Sequence, residues 1–205
     1  MQQQSLLGWR PRGGYRPGSG RKRTSDRIPH GPRETSRNAV FHVTSRAARG
    51  LPSLRKASLV RRIEDSFRRG CERPDFRLVH YSIQRDHIHM IVEATDVDAL
   101  GRGIRALLIR VARAANAVWK RRGAVLGDRY HHRQLRSPRE VWNVVAYVLN
   151  NARKHLGAAA VQGRVDPASS GRWFWQTASD LPSVARPKFW LLRVGWRRHG
   201  AVPAS

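Results

Sequence analysis

The stretch Asp86-His87-Ile88-His89-Met90-Ile91-Val92-Glu93 constrains this chain most. It is short, bounded by polar residues, and alternates polar with apolar, which is the period of a half-buried β-strand. In a strand, residues i and i+2 share a face. His87, His89, Ile91 and Glu93 therefore take one face, and Ile88, Met90, Val92 and Ala94 take the other. The second face is apolar throughout and belongs on a core. The first sets two imidazoles side by side, close enough to bind one metal ion. Taken alone, the same pattern also fits two unrelated histidines, one of them structural.

With 205 residues, 40% of them hydrophobic, the chain can build one domain with a real core plus tails. Its charge is unusual: 40 Lys and Arg against 14 Asp and Glu leave +26. Such an excess says little about fold and points to a polyanionic partner, most often nucleic acid. An anionic membrane is the other candidate. However, no apolar run approaches the ~20 residues of a transmembrane helix, and no membrane partner is expected. Leu6-Leu7 is too short for a signal peptide's apolar stretch. Cys71 is the single cysteine, which excludes an intramolecular disulfide and fits a reducing cytosol. A cytoplasmic, nucleoid-associated protein is the expectation. The sequence holds no cysteine-rich zinc framework and no internal repeat.

Residues 1–38 read as a disordered basic arm, rich in Gly, Pro, Ser and Arg without apolar period. Arg16, Arg21, Lys22 and Arg23 lie in it and are candidate DNA contacts. Arginines flanked by Gly and Pro can lie extended in a minor groove, or the arm is a solvated linker. Ala39 to Arg46 reads as a first strand, in which His42 is expected to be structural or substrate-facing. Residues 53–70 read as a helix with Leu59, Ile63 and Phe67 inward. Phe76 to Ile83 is a second strand, forming a hairpin with the His strand through Gln84-Arg85.

Residues 97–122 form a long basic helix. Leu100, Ile104, Leu107, Leu108, Val111 and Val118 make its buried stripe. Arg102, Arg105, Arg110, Arg113, Lys120 and Arg121 occupy the remainder, and the one-sided charge points to phosphate contact. Asp128 to Arg136 is a short extended segment whose His131 and His132 point to opposite faces, so at most one could reach a metal held by the His strand. Ser137-Pro138-Arg139-Glu140 is a helix start with a capping box and Pro at the first position. The helix is expected to run to His155-Leu156 and stop at Gly157. Asn143, Tyr147 and Asn151 form one ridge beside its buried valines. On this helix alone, Tyr147 also fits a tyrosine packed at a helix–sheet interface with a hydrogen-bonded hydroxyl. Residues 158–205 carry Trp173, Trp175, Trp190 and Trp196 interleaved with arginine. These can stack on unpaired bases or anchor a C-terminal extension onto the domain, and packing is favoured.

The order strand, helix, hairpin, basic helix, short strand, capped helix resembles the single-tyrosine HUH transposases, and most closely the REP-associated tyrosine transposases. The stretches that carry the resemblance are HVTSR (42–46), DHIHMIVEA (86–94), GDRYHHRQL (127–135) and AYVLNNARKH (146–155). They span about residues 39–157. H-x-H alone is weak. Followed about sixty residues later by Y-x-x-x-N on a capped helix, it is much more specific. This chain has Gln84-Arg85 where the family often has Met-Pro, and Asn151-Ala152 where many relatives have Asn-Pro.

The resemblance implies an α+β domain over 39–157, with an antiparallel sheet of four or five strands and packed helices, ferredoxin-like in flavour. It implies Tyr147 as nucleophile and His87, His89 and Asn151 as ligands of Mg²⁺ or Mn²⁺. It implies DNA, single-stranded or hairpin, as the partner, and leaves monomer and homodimer open. Two other classes remain: a catalytically silent nucleic-acid-binding protein of this fold, and a metal-dependent phosphohydrolase using His87, His89 and one of His131 or His132.

Overall fold

Alternating apolar runs that cannot bury both faces alone pair into one sheet. The computed structural model describes residues 37–151, 165–175, 177 and 179–203, all within one compact unit spanning 34–205. Its strands are β1 (Ala39–Arg46), β2 (Glu72–Arg73), β3 (Phe76–Ile83), β4 (His87–Ala94) and β5 (His131–Leu135). They form one five-stranded sheet in the order β2-β3-β4-β1-β5, with every pair antiparallel. The expected arm contacts Arg16, Arg21, Lys22 and Arg23 lie outside the described residues.

Three helices follow from the apolar stripes: α1 (Ala57–Arg68), α2 (Val97–Val118) and α3 (Pro138–Leu149). The first two are shorter than expected. Residues 53–56 form a turn instead of helix, closed by the Lys56 N–H on the Ser53 carbonyl, and Lys56 caps α1 with non-helical backbone. Beyond Val118, Lys120 turns to a φ of 51° and ends α2. After Leu149, Asn150 closes α3 with a backbone bond to the Ala146 carbonyl. The expected continuation through His155 lies outside the described residues.

Strand alternation sorts the sheet into two cores. Phe41, Val43, Leu78, Ile88, Met90 and Val92 pack with Leu59, Ile63 and Phe67 of α1 and Leu100, Ile104 and Leu107 of α2. Val40, Val79, Ile91 and Leu135 pack on the other face with Val141, Val144, Val145 and Val148 of α3. Each such side chain contributes about 1.5–3 kcal/mol of burial. A bulge between Leu78 and His80 shifts the alternation of β3, so that Tyr81 and Ile83 return to the first core after Val79 has joined the second. So the His strand is buried on both faces, not half-buried: all eight residues of β4 are covered.

The C-terminal segment supplies part of that cover. Ala168 and Ser170 exchange backbone bonds with Ile83 and Tyr81 along the outer edge of β3, and Ala185 donates to the Leu78 carbonyl. That closes the edge the two-residue β2 leaves open. Further on, a helical turn (Trp190–Arg193) and a 3-10 turn (Gly195–His199) pack on α3. Leu192, Trp196 and Val202 join the α3 core. Glu93, fully buried on β4, accepts the backbone N–H of both Lys188 and Phe189 at 2.8 Å and pins this segment to the sheet. Among the described residues no helix is long and apolar enough to cross a membrane.

Candidate active site

Register determines what surrounds the histidine pair. His87 lies opposite Arg46 and His89 opposite Thr44, on the face that α3 covers. His87 and His89 are 8% and 5% exposed. Their Nε2 atoms stand 3.1 Å apart. Their Nδ1 atoms are engaged on the far side of each ring. His87 Nδ1 donates to the Asp86 carboxylate at 2.7 Å. His89 Nδ1 meets the Thr44 hydroxyl at 3.1 Å and His42 Nε2 at 3.2 Å. A carboxylate behind an imidazole orients its ring and leaves Nε2 as the lone-pair donor. Asp86 is held below the usual carboxylate range, chiefly by this hydrogen bond from His87.

Tyr147 completes the cluster. The capping box that starts α3 is formed: Ser137 Oγ accepts from the Glu140 N–H at 3.2 Å, and Glu140 Oε2 accepts from the Ser137 N–H at 3.3 Å. This sets the helix phase so that Val144 and Val148 reach the sheet while Tyr147 stands at the border, 38% exposed. Its hydroxyl is 3.4 Å from His89 Nε2. Its ring meets the His89 and His42 rings edge-on, with centroids 5.2 and 6.2 Å apart.

Asn151, two residues beyond α3, is only 1% exposed. Among the described residues neither its Oδ1 nor its Nδ2 has a hydrogen-bond partner. Two unsatisfied buried amide atoms are costly and ask for a ligand. The residues present fit a divalent cation. Two donors 3.1 Å apart match adjacent corners of an octahedron with bonds of about 2.1 Å, which stand about 3.0 Å apart. Among the described residues no cluster of three or more His, Cys, Asp or Glu could hold a metal, so a third protein ligand drawn from them would be an uncharged donor such as Asn151. Nitrogen donors favour Mn²⁺ over Mg²⁺.

His42 stacks on His89, with centroids 5.2 Å apart. Burial first, then the nearby charges of Arg133 and His131, lower its pKa to about 4. It is neutral at physiological pH and can relay a hydrogen bond to His89 without adding charge. His131 lies opposite Thr44 on the site face, whereas His132 lies opposite Val43 on the other face and packs on Phe41 and Tyr130. His42, expected to be structural or substrate-facing, stands behind His89 as a supporting ring. The hydrogen-bonding roles of Asp86 and Thr44 at the two Nδ1 atoms were not assigned from sequence: adjacency in the strand flags Asp86, whereas Thr44 arrives through β1 pairing.

The structure does not bring the basic helix to this site. Arg102, Arg105, Arg110 and Arg113 ride on α2, on the opposite face of the sheet from Tyr147. Arg102 is paired with Asp75 at 2.8 Å. Arg110 packs its guanidinium against Gly70. Arg121 bonds to Asn116 and the Ala124 carbonyl, while Lys120 is exposed beyond α2.

No family model matches the chain, and no curated protein matches it. Among solved structures, the chain is similar to the REP-associated tyrosine transposase bound to a REP hairpin. The TM-score is 0.53 at 17% identity, covering 79% of this chain and 100% of that one. A candidate transposase from Deinococcus radiodurans aligns with a TM-score of 0.40 at 15% identity, over 54% of this chain and 86% of that one. The first likeness establishes that the chain has the fold of the REP-associated tyrosine transposase: an antiparallel five-stranded sheet with helices packed on it.

Proposed function

We propose that this chain is a metal-dependent DNA strand transferase, a transposase of the single-tyrosine class, acting on single-stranded or hairpin DNA. The observation that carries the reading is the Tyr147 hydroxyl 3.4 Å from a ring nitrogen of a convergent histidine pair. A tyrosine beside two such donors suits nucleophilic attack on a phosphodiester, and a net charge of +26 suits a polyanion.

His87, His89 and Asn151 would hold the divalent metal, which when bound supplies polarisation of the phosphoryl oxygens and positions the strand. Asp86 and Thr44 hold the two rings at Nδ1 and keep their Nε2 atoms convergent. Tyr147 Oη attacks phosphorus and forms the O–P bond of a 5′-phosphotyrosine. The bond to the 3′ oxygen breaks and that oxygen takes a proton from solvent to leave as a 3′-OH, while the phenolic proton passes to solvent at this half-exposed position. Reversal by the 3′-OH of another strand rejoins DNA and restores Tyr147, without an external energy source. Phenolate is a good leaving group for that second step. The fold's relative is a transposase bound to a REP hairpin, which supports a hairpin as the substrate here.

The test is denaturing electrophoresis of a labelled hairpin oligonucleotide incubated with protein and Mn²⁺. The expected result is a covalent protein–DNA band that disappears in Tyr147→Phe and with EDTA. A band that survives in Tyr147→Phe removes the nucleophile assignment. Faster cleavage of perfect duplex than of the hairpin overturns the substrate reading.

A further inference from the structure

Two buried amides on the site face have atoms without the partners their chemistry requires. Asn151 is one. Gln84, the last residue before the turn into the His strand, is the other. Its side chain is fully buried, and its Nε2 donates to the Ser82 hydroxyl at 2.6 Å. Among the described residues its Oε1 has no hydrogen-bond partner. A buried carbonyl oxygen that accepts nothing is rare in a folded protein and asks for a cation or a donor.

Register fixes where that oxygen stands. The Gln84 N–H donates to the His87 carbonyl at 2.8 Å, so these two residues close the Arg85-Asp86 turn and share a face. Ser82 lies opposite His89. Gln84, His87, Ser82 and His89 therefore form a square on the face that α3 covers, with the Cβ atoms of opposed residues about 4.5–5.5 Å apart. The bond to Ser82 ties the amide nitrogen along β3 and leaves the oxygen as the free end of the amide.

Helix α3 brings Asn151 to the same end of the sheet. It starts after Leu135, which pairs with Val40 at the level of Glu93, and reaches His89 at Tyr147. Four further residues advance about 6 Å, against about 7 Å along β4 from His89 to His87. Asn151 thus arrives at the level of His87 and Gln84.

We infer that Gln84 is a specificity-determining residue of the candidate metal site, its Oε1 facing the cation together with His87, His89 and the amide oxygen of Asn151. The inference rests on the proposed metal site and adds to it an oxygen donor at a position where the chain departs from the family it resembles. The consequence is metal choice. Imidazole favours Mn²⁺ over Mg²⁺, whereas carbonyl oxygens suit the harder ion. Two imidazoles with two amide oxygens accept Mg²⁺ better than two imidazoles with one. The amide does so without adding negative charge to a site that must receive a phosphodiester.

The experiment measures metal binding by the full chain without DNA, Mn²⁺ by calorimetry and Mg²⁺ by competition against it. Gln84→Met keeps the length of the side chain and removes the amide. It is expected to weaken Mg²⁺ binding about 10- to 100-fold and Mn²⁺ binding less, so that discrimination between the two ions widens. Gln84→Glu keeps an oxygen at the same reach and is expected to bind both ions at least as tightly as the unmodified protein. Either variant decides the matter if the other fails to fold. A structural Gln84 would weaken both ions by the same factor. A loss for Mg²⁺ no larger than for Mn²⁺, no loss at all in Gln84→Met, or weaker binding by Gln84→Glu overturns the inference. An unmodified protein that binds neither ion would instead refute the metal site itself, so the two failures are distinguishable.

Discussion

Replacing Asn151 with leucine should make the metal-free protein more stable while removing its response to metal. The side chain is 1% exposed, and neither amide atom has a partner among the described residues. A buried donor or acceptor left unsatisfied costs about 1–3 kcal/mol. Leucine offers a similar size without polar atoms, so a gain of about 1–3 kcal/mol is expected. For a unit of this size each kcal/mol moves Tm by about 2–4 °C, giving a rise of about 2–12 °C in EDTA. Metal linkage adds a second, independent reading. A ligand at one hundred times its Kd stabilises by about 2.7 kcal/mol, which would raise the unmodified protein by about 5–11 °C in Mn²⁺. The variant, lacking the amide oxygen, should show a much smaller rise. The assay is a thermal melt of both proteins in EDTA and in Mn²⁺. A variant that melts lower in EDTA would show that the amide is satisfied in the fold. A variant that keeps the full Mn²⁺ shift would remove Asn151 from the ligand set.

Tyr147→Phe is expected to lower Tm by no more than about 4 °C, because a 3.4 Å hydrogen bond at a half-exposed hydroxyl is worth about 0.5–1 kcal/mol; a larger loss would make Tyr147 a structural anchor. Asp86→Ala should weaken Mn²⁺ binding about 10- to 100-fold by freeing the His87 ring, and an unchanged titration by calorimetry would refute that role. Deleting residues 1–38 should flatten the plot of log K against log salt by about 0.7–0.9 per lost phosphate contact, whereas an unchanged slope makes the arm a passive linker. Burial raises the Glu93 carboxyl above its ordinary 4.5, outweighing the two backbone N–H donors. Its contribution is therefore full below pH 4.5 and lost as pH rises through the raised value. Urea unfolding should show the unmodified protein losing ground to Glu93→Gln between pH 4.5 and neutrality, and a constant difference would refute the shift.

The features legible in the sequence are those that neighbours along the chain dictate. The two-residue period of 86–94 fixes which residues share a face whatever the strand pairs with. Ser137, Pro138 and Glu140 start α3 by contacts within one turn, and the valine stripe then sets the phase that carries Tyr147. Aromatic packing of the tail was legible for Trp196 and not for Trp190, which its neighbours leave half open. Other features needed tertiary structure, because they depend on pairing between distant segments. Strand order β2-β3-β4-β1-β5 is such a feature, and it brings Thr44 and His42 to His89 across 45 and 47 residues. Which side of the sheet each helix covers is another. Charge on α2 reads as a phosphate contact from sequence, yet only the topology places that helix on the face away from Tyr147. Burial of β4 on both faces was equally invisible, since its cover comes from α3 and from a segment about a hundred residues downstream, tied down by Glu93. Local side-chain chemistry determined the residues of the site; long-range backbone pairing decided what surrounds them.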